Sequence, residues 1–323
     1  MTETLAADLA GISRACELLD AGGTVAFPTE TVYGLGGDAT NPAAVAGIFA
    51  AKGRPAFNPL IAHVPNLAAA EREGVFDRLA LRLAERFWPG PLTLVLPLRT
   101  GARTCELARA GLASIGLRCP DHPVALALLD AFGRPIAGPS ANVSGHVSPT
   151  TAQHVLADLG GRIGAVIDGG ATGVGIESTI IACVDGTLHL LRPGFITREG
   201  LEEAAGTRIL NARDDAHAPL SPGRLASHYA PRTPVRLDAD TVSPDEVLLT
   251  FGRTDVAGAG AARSVLNLSP TGDLSQAAAN LYAYLRELDG CAATAIAVSP
   301  LPQTGLGEAI ADRLKRAATE GTF

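Results

Sequence analysis

Four short stretches carry residue types able to handle a charged small molecule. One is Lys52-Gly53-Arg54-Pro55, followed by Asn58-Pro59 and Leu60-Ile61-Ala62-His63-Val64. Of 26 basic residues only two, Lys52 and Lys315, are lysines, so a lysine in this chain needs a reason. An ammonium is a compact point charge suited to a phosphate oxygen, whereas Arg54 offers a planar fork. The proline after Arg54 pushes its backbone towards the extended region and fixes its direction. A Lys-x-Arg pair beside a glycine therefore has the make-up of a polyanion cradle. A lysine at a helix end would also serve the helix dipole, and His63 could equally be a satisfied core histidine.

The segment Pro28-Thr29-Glu30-Thr31-Val32-Tyr33-Gly34-Leu35-Gly36 crowds hydroxyls, a carboxylate and a phenol just after a short apolar strand. Strand ends of this kind are where α/β sheets meet ligands, although threonine hydroxyls also cap ordinary turns. In Gly138-Pro139-Ser140-Ala141-Asn142-Val143-Ser144-Gly145, Ser140 and Asn142 are two apart and share a side of extended backbone. Together they could hold phosphate oxygens or a metal-bound water. Alternatively this is a polar loop in which Ser148 or Thr150 caps the next helix. Finally, Asp185-Gly186 predicts a tight hairpin that pairs Thr179 with Arg192. Ser178 and Arg192 then meet at its open end, but strict alternation puts them on opposite faces.

The elements that must position these residues read as an intermixed α/β chain. Helices are expected near Gly11–Ala21, from Asn41-Pro42 to Gly53, and over Arg78–Phe87, Val124–Phe132 and Thr151–Leu159. Strands are expected at Thr24–Phe27, Leu60–Val64, Leu92–Leu96, Ser114–Arg118, Pro135–Ala137, Ala165–Ile167, Ser178–Val184 and Thr187–Arg192. At 323 residues the chain exceeds one average domain. The boundaries expected are 1–207 for an α/β domain with a mixed sheet, 208–238 for a proline-rich linker, and 239–323 for a smaller α/β domain.

Composition narrows the function. Hydrophobic residues at 47% against 18% charged exclude a disordered chain. No apolar run approaches the roughly 20 residues of a membrane span, and the acidic Met1-Thr2-Glu3-Thr4 start does not read as a secretory signal. A net charge of −7 argues against a surface that grips nucleic acid throughout. Five scattered cysteines without a Cys-x-x-Cys fit neither a disulfide framework nor a zinc ribbon, which makes a reducing cytoplasm the expected compartment. The phosphate-loop, dinucleotide-fingerprint, nucleophile-elbow and His-Glu-x-x-His motifs are all absent.

Taken together, the ordered motifs resemble the threonylcarbamoyl-AMP synthases, the YrdC-like family, in its long two-domain form. The text that carries the resemblance runs Phe27 to Leu35, Lys52-Gly53-Arg54-Pro55 with Asn58-Pro59-Leu60, Ser140-Ala141-Asn142-x-Ser144-Gly145, Glu177-Ser178-Thr179 and Arg192-Pro193-Gly194. Ser221-Pro222-Gly223 with His228-Tyr229-Ala230-Pro231 is similar to the linker signature of the long form, with Arg224-Leu225-Ala226-Ser227 replacing its usual basic and aromatic residues.

The resemblance implies a twisted mixed sheet flanked by helices with an open concave face, and an enzyme joining L-threonine, bicarbonate or carbon dioxide, and ATP. It implies Thr31, His63, Arg118, Ser140 and Ser178 around threonine. Arg54, Asn58, Ser114, Asn142, Ser148 or Thr150, Arg192 and Tyr229 would surround the nucleotide. Lys52 and Arg54 would be catalytic, with magnesium accompanying ATP and no metal held by protein side chains alone. The product would feed a tRNA threonylcarbamoyl transferase machinery, with no membrane partner. Two rival readings are a non-catalytic RNA-binding module and a carbamoyl-adenylate-forming maturation enzyme. Acidic charge and 4% aromatics weigh against the first, and the missing zinc-finger cysteines against the second.

Overall fold

The computed structural model describes residues 1–212, 229–252 and 255–319. Two compact units emerge, and they interleave along the chain. One comprises Met1–Ser144, Pro149–Thr172 and Glu177–Arg224, the other Gly145–Ser148, Gly173–Ile176 and Leu225–Phe323. Most of the expected linker, including Ser221-Pro222-Gly223 and His228, lies outside the described residues.

The strands of the first unit are β1 (Glu3–Ala6), β2 (Val25–Phe27), β3 (Gly34–Asp38), β4 (Ile61–His63), β5 (Leu92–Pro97), β6 (Ser114–Arg118), β7 (Ile136–Ala137), β8 (Ala165–Asp168), β9 (Thr179–Val184), β10 (Thr187–Arg192) and β11 (Leu210–Asn211). They form one mixed sheet in the order β1-β8-β2-β3-β7-β4-β6-β5-β9-β10-β11. Its helices are α1 (Leu9–Asp20), α2 (Pro42–Lys52), α3 (Leu67–Ala70), α4 (Arg78–Phe87), α5 (Pro123–Phe132), α6 (Ala152–Leu159) and α7 (Arg198–Ala205).

Local chemistry sets the helix that delivers the lysine. Asn41 Oδ1 accepts from Ala43 N at 2.9 Å and Pro42 occupies the first turn. Gly53 ends α2 in the left-handed conformation, φ 61°. Helix α4 buries Ala80, Leu83 and Ala84, and α7 buries Leu201 and Ala205, in a core shared with Leu94, Leu117 and Ile181. Each fully buried aliphatic side chain of this size contributes roughly 1.5–3 kcal/mol. On the opposite face of β4, β5, β9 and β10, the cluster Ile61, Val95, Ile180, Ala182 and Leu191 is drawn from strands alone.

One strand is unexpected: the glycine-rich Gly34-Leu35-Gly36-Gly37 forms most of β3, antiparallel to β2. Its glycines answer to packing: a Cβ on Gly36 would lie 3.0 Å from Phe27 and Ile136, and one on Gly37 3.0 Å from Ile48. Close approach of neighbouring layers explains them.

The second unit is a small parallel sheet of β12 (Val235–Arg236), β13 (Val247–Thr250), β14 (Val265–Asn267) and β15 (Ile296–Val298), ordered β12-β15-β13-β14. Helices α8 (Leu274–Asp289) and α9 (Leu306–Ala317) complete it. None of the described helices is long and apolar enough to cross a membrane.

Candidate active site

The site grows from the end of α2. Lys52 is buried, and its Nζ donates to the carbonyl oxygens of Ser140 and Asn142, while Ser144 N donates to Lys52 O at 2.8 Å. The lysine thus pins the Ser140–Asn142 turn against the helix. Burial, reinforced by Arg54, holds its pKa well below the ordinary lysine range, with Asp158 opposing. Arg54 is also buried; its Nε donates to Asn58 O at 3.3 Å and its Nη2 to Pro59 O at 3.1 Å. Asn58 and Asn142 are buried beside them, and Asn58 Oδ1 accepts no hydrogen bond among the described residues. The Ser140 turn is stitched to the Thr31 segment: Ala141 N donates to Tyr33 O at 2.8 Å, and Gly34 bridges Ser140.

From Asn58-Pro59 the chain passes directly into β4, and there a polar row begins. His63 pairs with Arg118 in the parallel register of β4 and β6. Continuing the β5–β6 register one step beyond Leu94 and Leu117 sets Thr93 opposite Arg118. Thr93 pairs with Ile180 of β9, and its Oγ1 lies 2.8 Å from Ser178 Oγ. Arg192 Nε and Nη2 donate to Ser178 O at 3.1 and 3.0 Å, and Nη2 reaches Ser178 Oγ at 3.2 Å.

That last contact requires a departure from simple hairpin geometry. Asp185 and Gly186 take φ of 51° and 71°, as the expected turn demands. Pairing then runs from Thr187 opposite Val184 to Leu190 opposite Ile181, but Arg192 falls opposite Ile180. A β-bulge at Leu191 supplies the extra residue and turns Arg192 onto the face of Ser178. Strict alternation, which separates the two, is overturned by one residue.

Electrostatics along the row are distinctive. His63 is buried and its pKa is pushed down to about 3, first by burial and then by Arg118, so the ring is neutral. Its Nδ1 has no hydrogen-bond partner among the described residues, and its ring stands edge-on to Phe27 at 5.8 Å. Cys119 is pushed up to about 12, chiefly by burial, which leaves a neutral thiol unsuited to attack. Arg118 and Glu30 meet at 2.7 Å.

The remaining expected residues fall as follows. Thr31 is fully buried, with its Oγ1 2.8 Å from that of Thr29, which also donates to Val32 O. Thr29 is therefore the residue that caps this turn. Ser114 opens β6 and shares a small cleft with Pro59, Val95, Arg109 and Gly116. Thr150 is buried, with Oγ1 3.3 Å from His154 Nδ1. Ser148 and Tyr229 belong to the second unit. There Tyr229 is buried with φ 62°, stacks on Tyr282 at 5.7 Å between centroids, and has Arg313 Cζ 5.1 Å from its ring. Thr93 and Glu30 complete the site without having been assigned from sequence. A lone hydroxyl in the apolar run Leu92–Leu96 was the available signal for the first.

With this geometry in place, comparison with known proteins is specific. A family model described as telomere recombination, of the Sua5, YciO and YrdC type, matches residues 17–194, and one described as the threonylcarbamoyl-AMP synthase C-terminal domain matches 196–319. A threonylcarbamoyl-AMP synthase of Bacillus subtilis is 41% identical, over 98% of this chain and 96% of its own length. One from Pyrococcus abyssi is 39% identical over 92% and 91%. The crystal structure of P. abyssi Sua5 complexed with L-threonine superposes with a TM-score of 0.87 at 35% identity, over 98% of this chain and 97% of that one. With both units matched in order and both relatives covered nearly end to end, the chain belongs to the threonylcarbamoyl-AMP synthase family in its two-domain form.

Proposed function

We propose that this chain is a nucleotidyltransferase that condenses L-threonine, bicarbonate or carbon dioxide, and ATP into threonylcarbamoyl-AMP, releasing pyrophosphate. The observation that supports it best is the continuous polar row His63, Arg118, Thr93, Ser178 and Arg192, led into by the Lys52, Arg54 and Asn58 cluster.

The α-ammonium of threonine first gives up a proton to solvent; the neutral amine then adds to carbon dioxide and releases a second proton, giving a carbamate. A carbamate oxygen then forms a bond to the α-phosphorus as the bond to the β-phosphate oxygen breaks. Such transfers depend on alignment and on compensating charge rather than on covalent help from the protein. Arg118 suits the amino-acid carboxylate, and a neutral His63 recognises by hydrogen bonding without adding a second charge beside it. Thr31, Ser140 and Ser178 supply hydroxyls around threonine; Arg54, Asn58, Ser114, Asn142, Thr150 and Arg192 are assigned to the nucleotide. Lys52, whose Nζ holds the Ser140 and Asn142 carbonyls, places positive charge beside the turn assigned to the nucleotide, where it would attract the polyphosphate.

Magnesium would accompany the nucleotide, with the buried Asn58 Oδ1, which accepts no hydrogen bond among the described residues, as a hard oxygen donor able to hold it. When bound, it neutralises phosphate charge. The product is assigned to modification of the tRNA adenosine beside the anticodon through a downstream threonylcarbamoyl transferase, in the cytoplasm.

Mass spectrometry of a mixture of protein, ATP, magnesium, bicarbonate and threonine tests the reading. The adenylate is expected only when all are present, and pyrophosphate release is expected to need threonine and bicarbonate together. Equal release without either would mean a plain ATPase and refute it.

A further inference from the structure

The Glu30–Arg118 contact is an unusual ion pair. Its closest approach is 2.7 Å, and the two side chains are only 12% and 5% exposed. Yet both carboxylate oxygens of Glu30 are buried without accepting a hydrogen bond among the described residues, and Arg118 Nε and Nη2 donate none. The charges touch, but not along an N–H axis. A structural arginine–carboxylate pair at this depth is normally bidentate, because desolvation is offset only when the remaining lone pairs and protons are used. Glu30 Oε2 and Arg118 Nε are thus left without a partner, and Oε1 and Nη2 meet only each other without a hydrogen bond, an arrangement that a ligand bringing both charges itself would complete.

Both groups are held in place by backbone. Arg118 is fixed by its register against His63. Glu30 sits in the turn that Thr29 closes, where Thr29 Oγ1 accepts from Thr31 N at 3.2 Å and from Val32 N at 3.3 Å.

We infer that Glu30 receives the α-ammonium of the amino acid while Arg118 takes its carboxylate, so that the pair is a two-charge receptor and Glu30 selects α-amino acids over their deaminated analogues. This deepens the proposed reaction and rests on it. On binding, the two side chains part: the zwitterion's N–H groups take the Glu30 oxygens and its carboxylate takes Arg118 Nε and Nη2. A ligand without the ammonium leaves Glu30 buried, unpaired and facing another carboxylate, which disfavours it. The nitrogen is thereby placed on the polar row as an ammonium, and it is carboxylated only after losing a proton to solvent.

Calorimetric titration of the full chain with L-threonine and with 3-hydroxybutanoate, which is threonine without its α-amino group, tests the assignment. Wild type is expected to bind threonine at least tenfold more tightly. Glu30→Gln is expected to weaken threonine at least tenfold while leaving 3-hydroxybutanoate within twofold or tighter, with Glu30→Asp intermediate for threonine. Undiminished threonine affinity in Glu30→Gln, or equal loss of both ligands, overturns the role. If Glu30→Gln does not fold, the wild-type comparison and Glu30→Asp decide it, since equal affinity for the two ligands overturns it alone. Wild type that binds no threonine, with or without ATP, rejects the proposed reaction and this inference with it; normal binding by Glu30→Gln rejects the inference only.

Discussion

Gly138→Ala should disable threonine recognition by moving one ring. A Cβ at this position would lie 2.9 Å from His63 Nδ1 and 3.0 Å from Cε1. Heavy-atom contacts settle near 3.5–4.0 Å, so the overlap is at least about 0.5 Å. His63 cannot absorb this by simple rotation. It is buried, its strand is paired on both sides, and Phe27 meets the ring edge-on at 5.8 Å. Overpacking of this size costs about 1–3 kcal/mol, which in a unit of some 200 residues lowers the melting temperature by roughly 2–12 °C. With His63 assigned to threonine under the proposed function, displacing it should weaken threonine at least tenfold, about 1.4 kcal/mol, while ATP binding in the absence of threonine stays within twofold. The double variant His63→Ala/Gly138→Ala separates the two effects. Removing the ring removes the clash, so the double variant should be more stable than additivity allows, yet bind threonine no better. Calorimetry and thermal melts read both. Wild-type threonine affinity in Gly138→Ala, or strict additivity in the double variant, would show that the ring and the glycine are not in contact and refute the reasoning.

Thr93→Val keeps shape and removes one hydroxyl, leaving Ser178 without its 2.8 Å partner. A loss near 1 kcal/mol, about fivefold in threonine affinity, is expected by titration with little change in nucleotide affinity. His63 predicts a pH signature. Its folded pKa of about 3 lies below its ordinary 6.5, so the unfolded chain binds the extra proton between those values; this contribution to stability is intact above pH 6.5 and is lost as pH falls towards 3. Denaturant melts from pH 7 to 4 should therefore show a shallower decline in His63→Asn than in wild type, and parallel curves would exclude the effect.

Much of this was legible because local rules governed it. Asn41-Pro42 and Gly53 bounded α2, Asp77 capped α4 at Ala80 N, and Asp185-Gly186 set the hairpin turn. The candidate site was legible where residue type was out of character, as with a lysine in an arginine-rich chain. What escaped was decided by distant neighbours. β3 contradicts its own glycine content because Phe27, Ile136 and Ile48 leave no room for side chains there. Gly145–Ser148 and Gly173–Ile176 join the second unit through contacts far along the chain, which no local pattern encodes. Thr197 and Gly206 did offer a cap and a stop for α7, and read together they would have found it.

The bulge at Leu191 shows how a site can depend on a feature that periodicity forbids. Without it, the hairpin would hold its hydrophobic register and send Arg192 to the side of Leu94 and Leu117, where a guanidinium has no partner and water is excluded. With it, the same residue reaches Ser178 through three contacts and the row continues from β4 to β10. The bulge weakens the ladder locally, since one residue gives up regular pairing. A sheet selected for stability alone would therefore lack it. Its place at the open end of a hairpin otherwise in perfect register points to retention for what Arg192 does on the polar face, which agrees with a charged ligand lying across those five strands.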